Sequence, residues 1–475
     1  MNVYDQVHYV GFPHQHSHPD RLAVVAGLYG LSPARPEACR MLEIGCGDGG
    51  NLIPIAATYP RSEFTGIDLA GKPIEMAREQ AKDFGIANAR FERFNLMDLD
   101  RSFGEFDYII AHGVYCWVPD PVRDKLMAVL ASNLAPNGIG FISYNAYPGC
   151  HIRAISRGMM RYHTRGTDGF DRVSRAKEMV EFAAAASLGG DEWKTYTVSE
   201  LKRLNDRREY TLYHDELGEH WQPVYFHEFV DHAGRHGLEF VAEAQYSVMK
   251  EGLSGPPQQV LESLHLDRIE RQQYLDFLFG RAFRQTLLCR QGLNPSAKAL
   301  PERVVSLHVS CDALPQGDSG QEFRNRAEAV LEVKGERTSR VLRLLGQEWP
   351  ETRSFHELKE MCGSIDDLEF AELLLQFYAL DFVHLHGAPR QAVCRPGERP
   401  RTRNLARMQA ARSAAVTSAL HEAVNMNDER SLKLLLLLDG TRDRAALARD
   451  MGGDLSPEEL WSNVEKLARA GLIEE

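Results

Sequence analysis

Residues 40–51 read Arg40-Met41-Leu42-Glu43-Ile44-Gly45-Cys46-Gly47-Asp48-Gly49-Gly50-Asn51. An unbroken apolar run ends in alternating glycines, and NLIPIAATYP (51–60) resumes with helical spacing, its Pro54 in the first turn where proline is tolerated. This pattern is a buried strand turning tightly into a helix. Glycine is required where any Cβ would keep a ligand from the backbone and where the turn needs unusual dihedral angles. The helix N-terminus then offers free N–H groups to a carboxylate or phosphate. Such a turn taken alone is shared with dinucleotide binders.

Outward from it, strand and helix signals alternate. EFTGID (63–68), ARFERFNL (89–96), FDYIIAHG (106–113) and GIGFISYN (138–145) read as strands. KPIEMAREQAKDFG (72–85) reads as a helix, and PVRDKLMAVLASNLAPNG (121–138) as an amphipathic helix stopped by Pro136 and Gly138. The alternation implies βαβ units and an α/β fold with a parallel, doubly wound, Rossmann-like sheet. Residues 151–205 break the rhythm with Arg-rich helical sequence and read as an insertion. FHEFVDHAGRHG (226–237, helix), LEFVAEAQY (238–246, strand), a helix near 257–280 and FRQTLLCR (283–290, strand) would close the same sheet. The first domain is therefore expected over 1–292, with the insertion at about 151–205 and its closing region at about 206–292.

The last third differs. Residues 338–386 give helix, helix, helix and a short strand, and 431–475 repeat that order. Two winged-helix-like units are expected, a middle one over 293–394 and a C-terminal one over 395–475 that opens with the basic stretch 395–412. Residues 428–475 hold seven basic against eleven acidic side chains, so protein contact rather than DNA binding is the expected use.

The 475 residues are 43% hydrophobic and 26% charged, with 55 Lys+Arg against 67 Asp+Glu and a net charge of -12. This is globular composition, and the acidic balance argues against a general nucleic-acid binder. No apolar run reaches membrane-spanning length and the first residues show no apolar signal core. The eight cysteines show no CxxC or zinc spacing. A soluble, cytoplasmic protein with free thiols is expected.

Three features sharpen the reading of the glycine turn. Glu43 stands two residues before the first glycine, where a carboxylate can accept from an ammonium group. Asp68 ends the second strand, 23 positions after Gly45, placed to accept both hydroxyls of a ribose. Asn95 and Asp98 end the third strand, where an acceptor can meet an adenine amino group. Asp68 alone reads equally as a capping or solvated acid. Together, on consecutive strand ends, these groups describe a pocket for adenosine carrying a charged amino-acid tail, S-adenosylmethionine. The order ExGxGxG also departs from the GxGxxG of nicotinamide dinucleotide enzymes. The expected donor-binding residues are Glu43, Gly45, Cys46, Gly47, Asn51, Asp68, Leu69, Asn95, Leu96, Asp98 and His112. Asn95 Oδ1, the backbone N–H of Leu96 and Asp98 remain alternative adenine contacts.

The chain resembles a class I S-adenosylmethionine-dependent methyltransferase. More narrowly, it is similar to bacterial methyltransferases with a methyltransferase regulatory domain, among them rickettsial protein lysine methyltransferases acting on outer-membrane protein. The stretches that carry the resemblance are SHPDRLAVVAGLYGL (17–31), MLEIGCGDGGNLIPIA (41–56), FTGIDLA (64–70), FDYIIAHGVYCWVP (106–119), ISYNAYPG (142–149), PVYFHEFVDHAGRHGLEFVAEA (223–244) and FRQTLLCR (283–290). Asn95 departs from the pattern, standing where the family often has an acid. The resemblance implies methyl transfer to protein lysine.

For the acceptor, ligands bind outside the carboxyl ends of the strands in doubly wound sheets. His112, Tyr115 and Trp117 follow the fourth strand, and Tyr144, Asn145 and Tyr147 follow the fifth. Tyr4 and Tyr9 could close over the donor as a lid. Aromatic faces guide a lysine cation, and apolar walls favour loss of its proton. The candidate catalytic residues are His112, Tyr115, Trp117, Tyr144, Asn145 and Tyr9, although each aromatic taken singly also reads as packing. His112-Gly113-Val114-Tyr115 replaces the (D/N)PP(Y/F) string of nucleic-acid adenine methyltransferases. His14, His16 and His18 would share one face of an extended segment, but no further ligand cluster accompanies them and no metal site is expected. Besides a protein lysine acceptor, two readings stay open: a small-molecule acceptor, and a donor-sensing regulatory protein without catalysis. The insertion and C-terminal units would present a protein substrate or hold a homodimer.

Overall fold

Successive residues along the central strands fall into different cores. Met41, Tyr108 and Phe141 belong to one buried cluster, and their neighbours Leu42, Ile109 and Ile142 to another. Both faces of the sheet are covered, which is why its strands read as unbroken apolar runs. The computed structural model describes residues 3–186, 190–250, 252–317, 320–452 and 456–474. Its main sheet has seven strands: β1 (Arg40–Ile44), β2 (Glu63–Asp68), β3 (Ala89–Arg93), β4 (Phe106–Ala111), β5 (Leu134–Asn145), β6 (Leu238–Glu243) and β7 (Phe283–Arg290). Their order is β3-β2-β1-β4-β5-β7-β6. Strands β1 to β5 run parallel, while β7 lies antiparallel between β5 and β6. The sheet is thus mixed rather than parallel throughout. The order reverses between β1 and β4, so a crevice opens at their carboxyl ends.

Three boundaries differ from the sequence expectation. The helix expected over 121–138 is Asp120–Asn133, and residues 134–138 already belong to β5. Asn133 Nδ2 donates to the Asp100 and Gly104 carbonyls at 2.9 and 2.8 Å, fixing the helix end before Pro136 is reached. The helix expected near 257–280 is two, Pro256–Ser263 and Arg268–Phe279. Asp267 starts the second with a capping box, its side chain accepting from Ile269 and Glu270 N–H while Glu270 accepts from Asp267 N–H. The third strand stops at Arg93, because Asn95 caps the 3-10 turn Leu96–Asp98.

Helices Cys150–His163, Asp171–Ala186 and Asp191–Asn205 form the insertion, with a core that includes Met160, Val173, Val180 and Leu204. In the middle unit, His308–Ser310 pairs antiparallel with Arg353–Ser354 and His384–His386, alongside helices Glu336–Glu348, Phe355–Cys362 and Asp367–Ala379. The C-terminal unit has the same order, with Arg401 bridged to Asp439 and Thr402 to Ile473 around helices Glu429–Leu437, Arg444–Met451 and Pro457–Arg469. One hydrophobic core runs continuously from helix Pro19–Leu28 and the sheet into Val309, Phe355 and Phe370 of the middle unit. No helix among the described residues is long and apolar enough to cross a membrane.

Candidate active site

The glycine turn is stapled to the end of β2, with Gly45 and Cys46 N–H donating to the Ile67 carbonyl at 2.8 and 3.1 Å. Gly45 and Gly47 adopt φ of +75° and +55°, the left-handed region that glycine tolerates. A Cβ on Gly45 would lie 2.7 Å from Val114 Cγ2, whereas one on Gly47 would meet nothing within 4 Å. Gly47 therefore faces open space, the cradle expected for a ligand. Asp68 bounds it, one oxygen accepting from Gly47 N–H at 3.0 Å and the other from Ala70 N–H at 2.8 Å. Burial raises the Asp68 carboxyl above its ordinary range, against those N–H bonds.

Glu43 is 4% exposed, and only one of its oxygens is satisfied. Oε1 accepts from Asn51 Nδ2 at 2.8 Å, while Oε2 is buried with no hydrogen-bond partner. Burial pushes its carboxyl up to about 8, with the Asn51 bond opposing and the Asp48 and Asp68 charges adding to the rise. An orphaned buried carboxylate oxygen beside an open glycine cradle is the chemistry that accepts an ammonium group next to a carboxylate. The residues present therefore fit the aminocarboxylate end of S-adenosylmethionine.

At the other end, Leu69 is 56% and Met97 42% exposed beside Asp68 and the 3-10 turn, offering apolar faces to an adenine. Leu96 is buried, whereas Asn95 and Asp98 are exposed. Asn95 Oδ1 is occupied by Met97 N–H at 3.1 Å, which leaves the Leu96 N–H and Asp98 as the freer adenine contacts. Cys46 packs inside, its thiol raised by burial well above the usual range.

Residues 8–14 run across the turn. His8 Nε2 meets Asp48 Oδ2 at 2.9 Å, and Gly11 N–H donates to the same oxygen at 3.2 Å. A Cβ on Gly50 would stand 2.3 Å from the Gly11 carbonyl carbon, so the two backbones touch. His14 donates its backbone N–H to Asn51 Oδ1 at 2.9 Å and stacks on His112 at 3.7 Å. Burial lowers His14 to about 4 and His112 well below the imidazole range, so both rings are neutral at pH 7. The Gln15–Ser17 turn, which contains His16, separates His14 from His18: His14 lies on His112, and His18 beside Tyr59 and His421. Asn51 Oδ1 also accepts from His421 Nε2 at 2.9 Å.

The aromatic candidates divide. Tyr4 stacks on His214 at 4.3 Å, and Tyr9 packs edge-on to His214 and Tyr210 at 5.6 and 5.3 Å. His214 lies on a π-helical turn, Leu212–Glu216, and its Nε2 meets the Val7 carbonyl at 2.8 Å. Asp5 accepts from Lys72 N–H at 2.9 Å, fastening the arm to the start of helix Gly71–Asp83 beyond Asp68. Tyr115 and Tyr144 are 2% and 1% exposed and do not reach this site. Tyr144 shares a face with Ile142, and the period of two turns its ring onto Phe229 at 4.0 Å. The Tyr115 and Tyr144 hydroxyls are held by His232 Nδ1 and Thr286 Oγ1. Trp117 lies under the internal guanidinium groups of Arg153 and Arg157 at 5.6 and 5.7 Å. Asn145 Oδ1 accepts from Trp221 Nε1 at 2.9 Å. Tyr115 and Tyr144 thus pack inside the scaffold, and Trp117 and Asn145 are held against the insertion and Trp221. Half-buried Tyr147 instead groups with His151 and Tyr225 at 4.2 and 5.3 Å.

Sequence reading missed Asp48, His8, His214 and His421 as parts of this neighbourhood. Asp48 lay within the glycine run and was the one local signal. The others come from distant segments.

Comparison with known proteins follows the same division of the chain. A methyltransferase domain model matches residues 42–139, the predicted methyltransferase regulatory domain matches 208–290, and the PKMT C-terminal winged helix domain matches 398–468. Among curated relatives, uncharacterized protein RP028 of Rickettsia prowazekii is 37% identical over 232 residues, 48% of this chain and 93% of that protein. Uncharacterized protein RP789 of the same organism is 35% identical over 319 residues, 66% of this chain. This chain spans only 57% of RP789's length. PKMT2 from Rickettsia typhi, solved also in complex with AdoHcy, superposes with TM-score 0.87 at 25% identity, covering 98% of this chain and all of that one. With an open glycine cradle, an unpaired Glu43 oxygen, Asp68 at the second strand end and these three domain matches, the chain belongs to the S-adenosylmethionine-dependent methyltransferases that carry a regulatory domain and a PKMT-type winged helix.

Proposed function

We propose that this chain methylates lysine side chains of a protein. The observation that carries the protein acceptor is the likeness to PKMT2 across insertion, middle unit and winged helix, not across the donor-binding sheet alone. When bound, S-adenosylmethionine supplies an electrophilic methyl group on sulfur. Glu43 Oε2 would take its ammonium group, Asp68 its ribose hydroxyls, Leu69 and Met97 the adenine faces, and Leu96 N–H or Asp98 the adenine edge. Neutral His112 and His14, with Phe141 and Phe283 within 6.1 and 6.3 Å of His112, make an apolar wall at the end of β4. Such a wall disfavours a lysine in its ammonium form, so a side chain that enters as a cation gives up its proton to solvent at the wall and its neutral nitrogen becomes the nucleophile. Aim and exclusion of water supply the remaining rate advantage. The Tyr147, His151 and Tyr225 rings offer faces to the incoming cation, and Tyr9 closes the donor side. All eight cysteines are free thiols, which supports a reducing, cytoplasmic setting.

The test is mass spectrometry of a protein extract incubated with the enzyme and isotopic donor. Lysine residues gaining labelled methyl groups are expected. Label confined to small molecules would overturn the protein acceptor, and failure of AdoHcy to bind would overturn the donor site.

A further inference from the structure

Two helices meet beside Tyr115, one from the donor-binding sheet and one from the regulatory stretch. Asp124 lies on helix Asp120–Asn133, while His232 lies on helix Phe226–Arg235 and His236 caps its end. At a spacing of four, the two histidines share one helix face. Both Nε2 atoms converge on Asp124 Oδ1, from 3.4 Å for His232 and 2.8 Å for His236. The three ligand atoms lie within 4.8 Å of one another, and no other such group of three converges among the described residues. Ligands bound tetrahedrally at 2.0–2.1 Å stand about 3.3 Å apart, inside the spacing found here.

His232 Nδ1 is held from behind by the buried Tyr115 hydroxyl at 2.9 Å. The hydroxyl holds the ring in place in either tautomer; with the hydrogen on Nδ1 it accepts that hydrogen, and Nε2 then presents its lone pair to an ion, as at histidine-metal centres. The Arg123 guanidinium is taken up by the Tyr115 and Gln222 carbonyls at 2.7 and 2.6 Å, on the Tyr115 side of the helix. The Asp124 side chain is 66% exposed, against 12% and 18% for the histidines, so an ion can enter from solvent and keep a water as fourth ligand. We propose that Asp124, His232 and His236 form a binding site for a divalent first-row transition ion, Zn2+ foremost, that clamps the regulatory helix to the methyltransferase domain. Two imidazoles and one carboxylate are ligands suited to that class. The site is distinct from the donor pocket, so it stands or falls independently of the proposed acceptor.

Untagged protein, stripped with a chelator and moved to metal-free buffer, is titrated with Co2+, whose visible absorption reports tetrahedral coordination. One equivalent is expected to saturate the spectrum, to be displaced by Zn2+, and to raise Tm in a concentration-dependent way. His236→Gln and Asp124→Asn are each expected to weaken Co2+ binding by at least about tenfold while AdoHcy binding is unchanged. A folded protein with no saturable Co2+ spectrum would overturn the proposal. So would a spectrum that neither substitution alters, since the ion would then bind elsewhere.

Discussion

At neutral pH the Glu43 carboxyl of the free protein keeps its proton, because burial holds it near 8 and Asn51 satisfies only one oxygen. An ammonium group at Oε2 favours the ionised form, so ligand binding expels that proton. The free group titrates high and the bound group low. Affinity therefore rises with pH, by up to about tenfold per unit, and levels off above about pH 8. Calorimetry of AdoHcy binding at pH 7 in buffers of different ionisation enthalpy is expected to report release of about one proton. Glu43→Gln should abolish that release and weaken binding. Without ligand the same group makes the fold less stable as pH climbs from the ordinary carboxylate range to about 8. Gly47→Ala separates cradle from fold. Its left-handed backbone costs about 1–2 kcal/mol with a side chain, read as a small loss of Tm. The new methyl group projects into the open cradle, and a far larger loss of AdoHcy affinity is expected.

Among the elements, the π-helical turn Leu212–Glu216 is the joint between the N-terminal arm and the insertion. His214 faces the arm, while Glu216, 0% exposed, accepts from Arg153 and Arg207 at 3.0 Å each and lies within 4.0 Å of Arg157 and Arg203. Glu216→Gln removes the buried counter-charge of Arg153 and Arg157, while Arg203 keeps Glu200 and Arg207 keeps Asp215, and is expected to cost about 3 kcal/mol. Hydrogen exchange should show the loss in helices Cys150–His163 and Asp191–Asn205 before the sheet opens. The strand and helix order was legible because each piece is local. An apolar run ending in glycines marked β1, a buried-type run marked β4 and alternation marked β7, and Glu63–Asp68 and Phe283–Arg290 end where their patterns end. The reversed direction of β7 was not legible, since alternation says which face is buried but not which way a strand runs. Nor was the inward turn of Tyr144, because a strand covered on both faces gives no sign of which side holds the ligand.

For the molecule as a whole, Asn51 is the meeting point. It receives His14 from one side and His421 from 370 residues away, and passes a hydrogen bond to Glu43. Glu43 and Gly47 stand in one strand-turn-helix pattern and Asp68 at the end of the next strand, so short local stretches display all three. His421 was not legible, because nothing near it in the chain distinguishes a ligand-loop contact from an ordinary residue of the hairpin between Ala415–Thr417 and Ala423–Asn425. Burial keeps His421 uncharged, so it donates a neutral hydrogen bond. His421→Ala is expected to weaken AdoHcy binding by about fivefold, the worth of one such bond at about 1 kcal/mol. Circular dichroism should be unchanged. If calorimetry finds no weakening, the winged helix does not support the donor loop. The arrangement also bears on biogenesis: a nascent polypeptide still short of His421 cannot finish the surroundings of Asn51. Full donor affinity would then be acquired only after the winged helix has left the ribosome and docked.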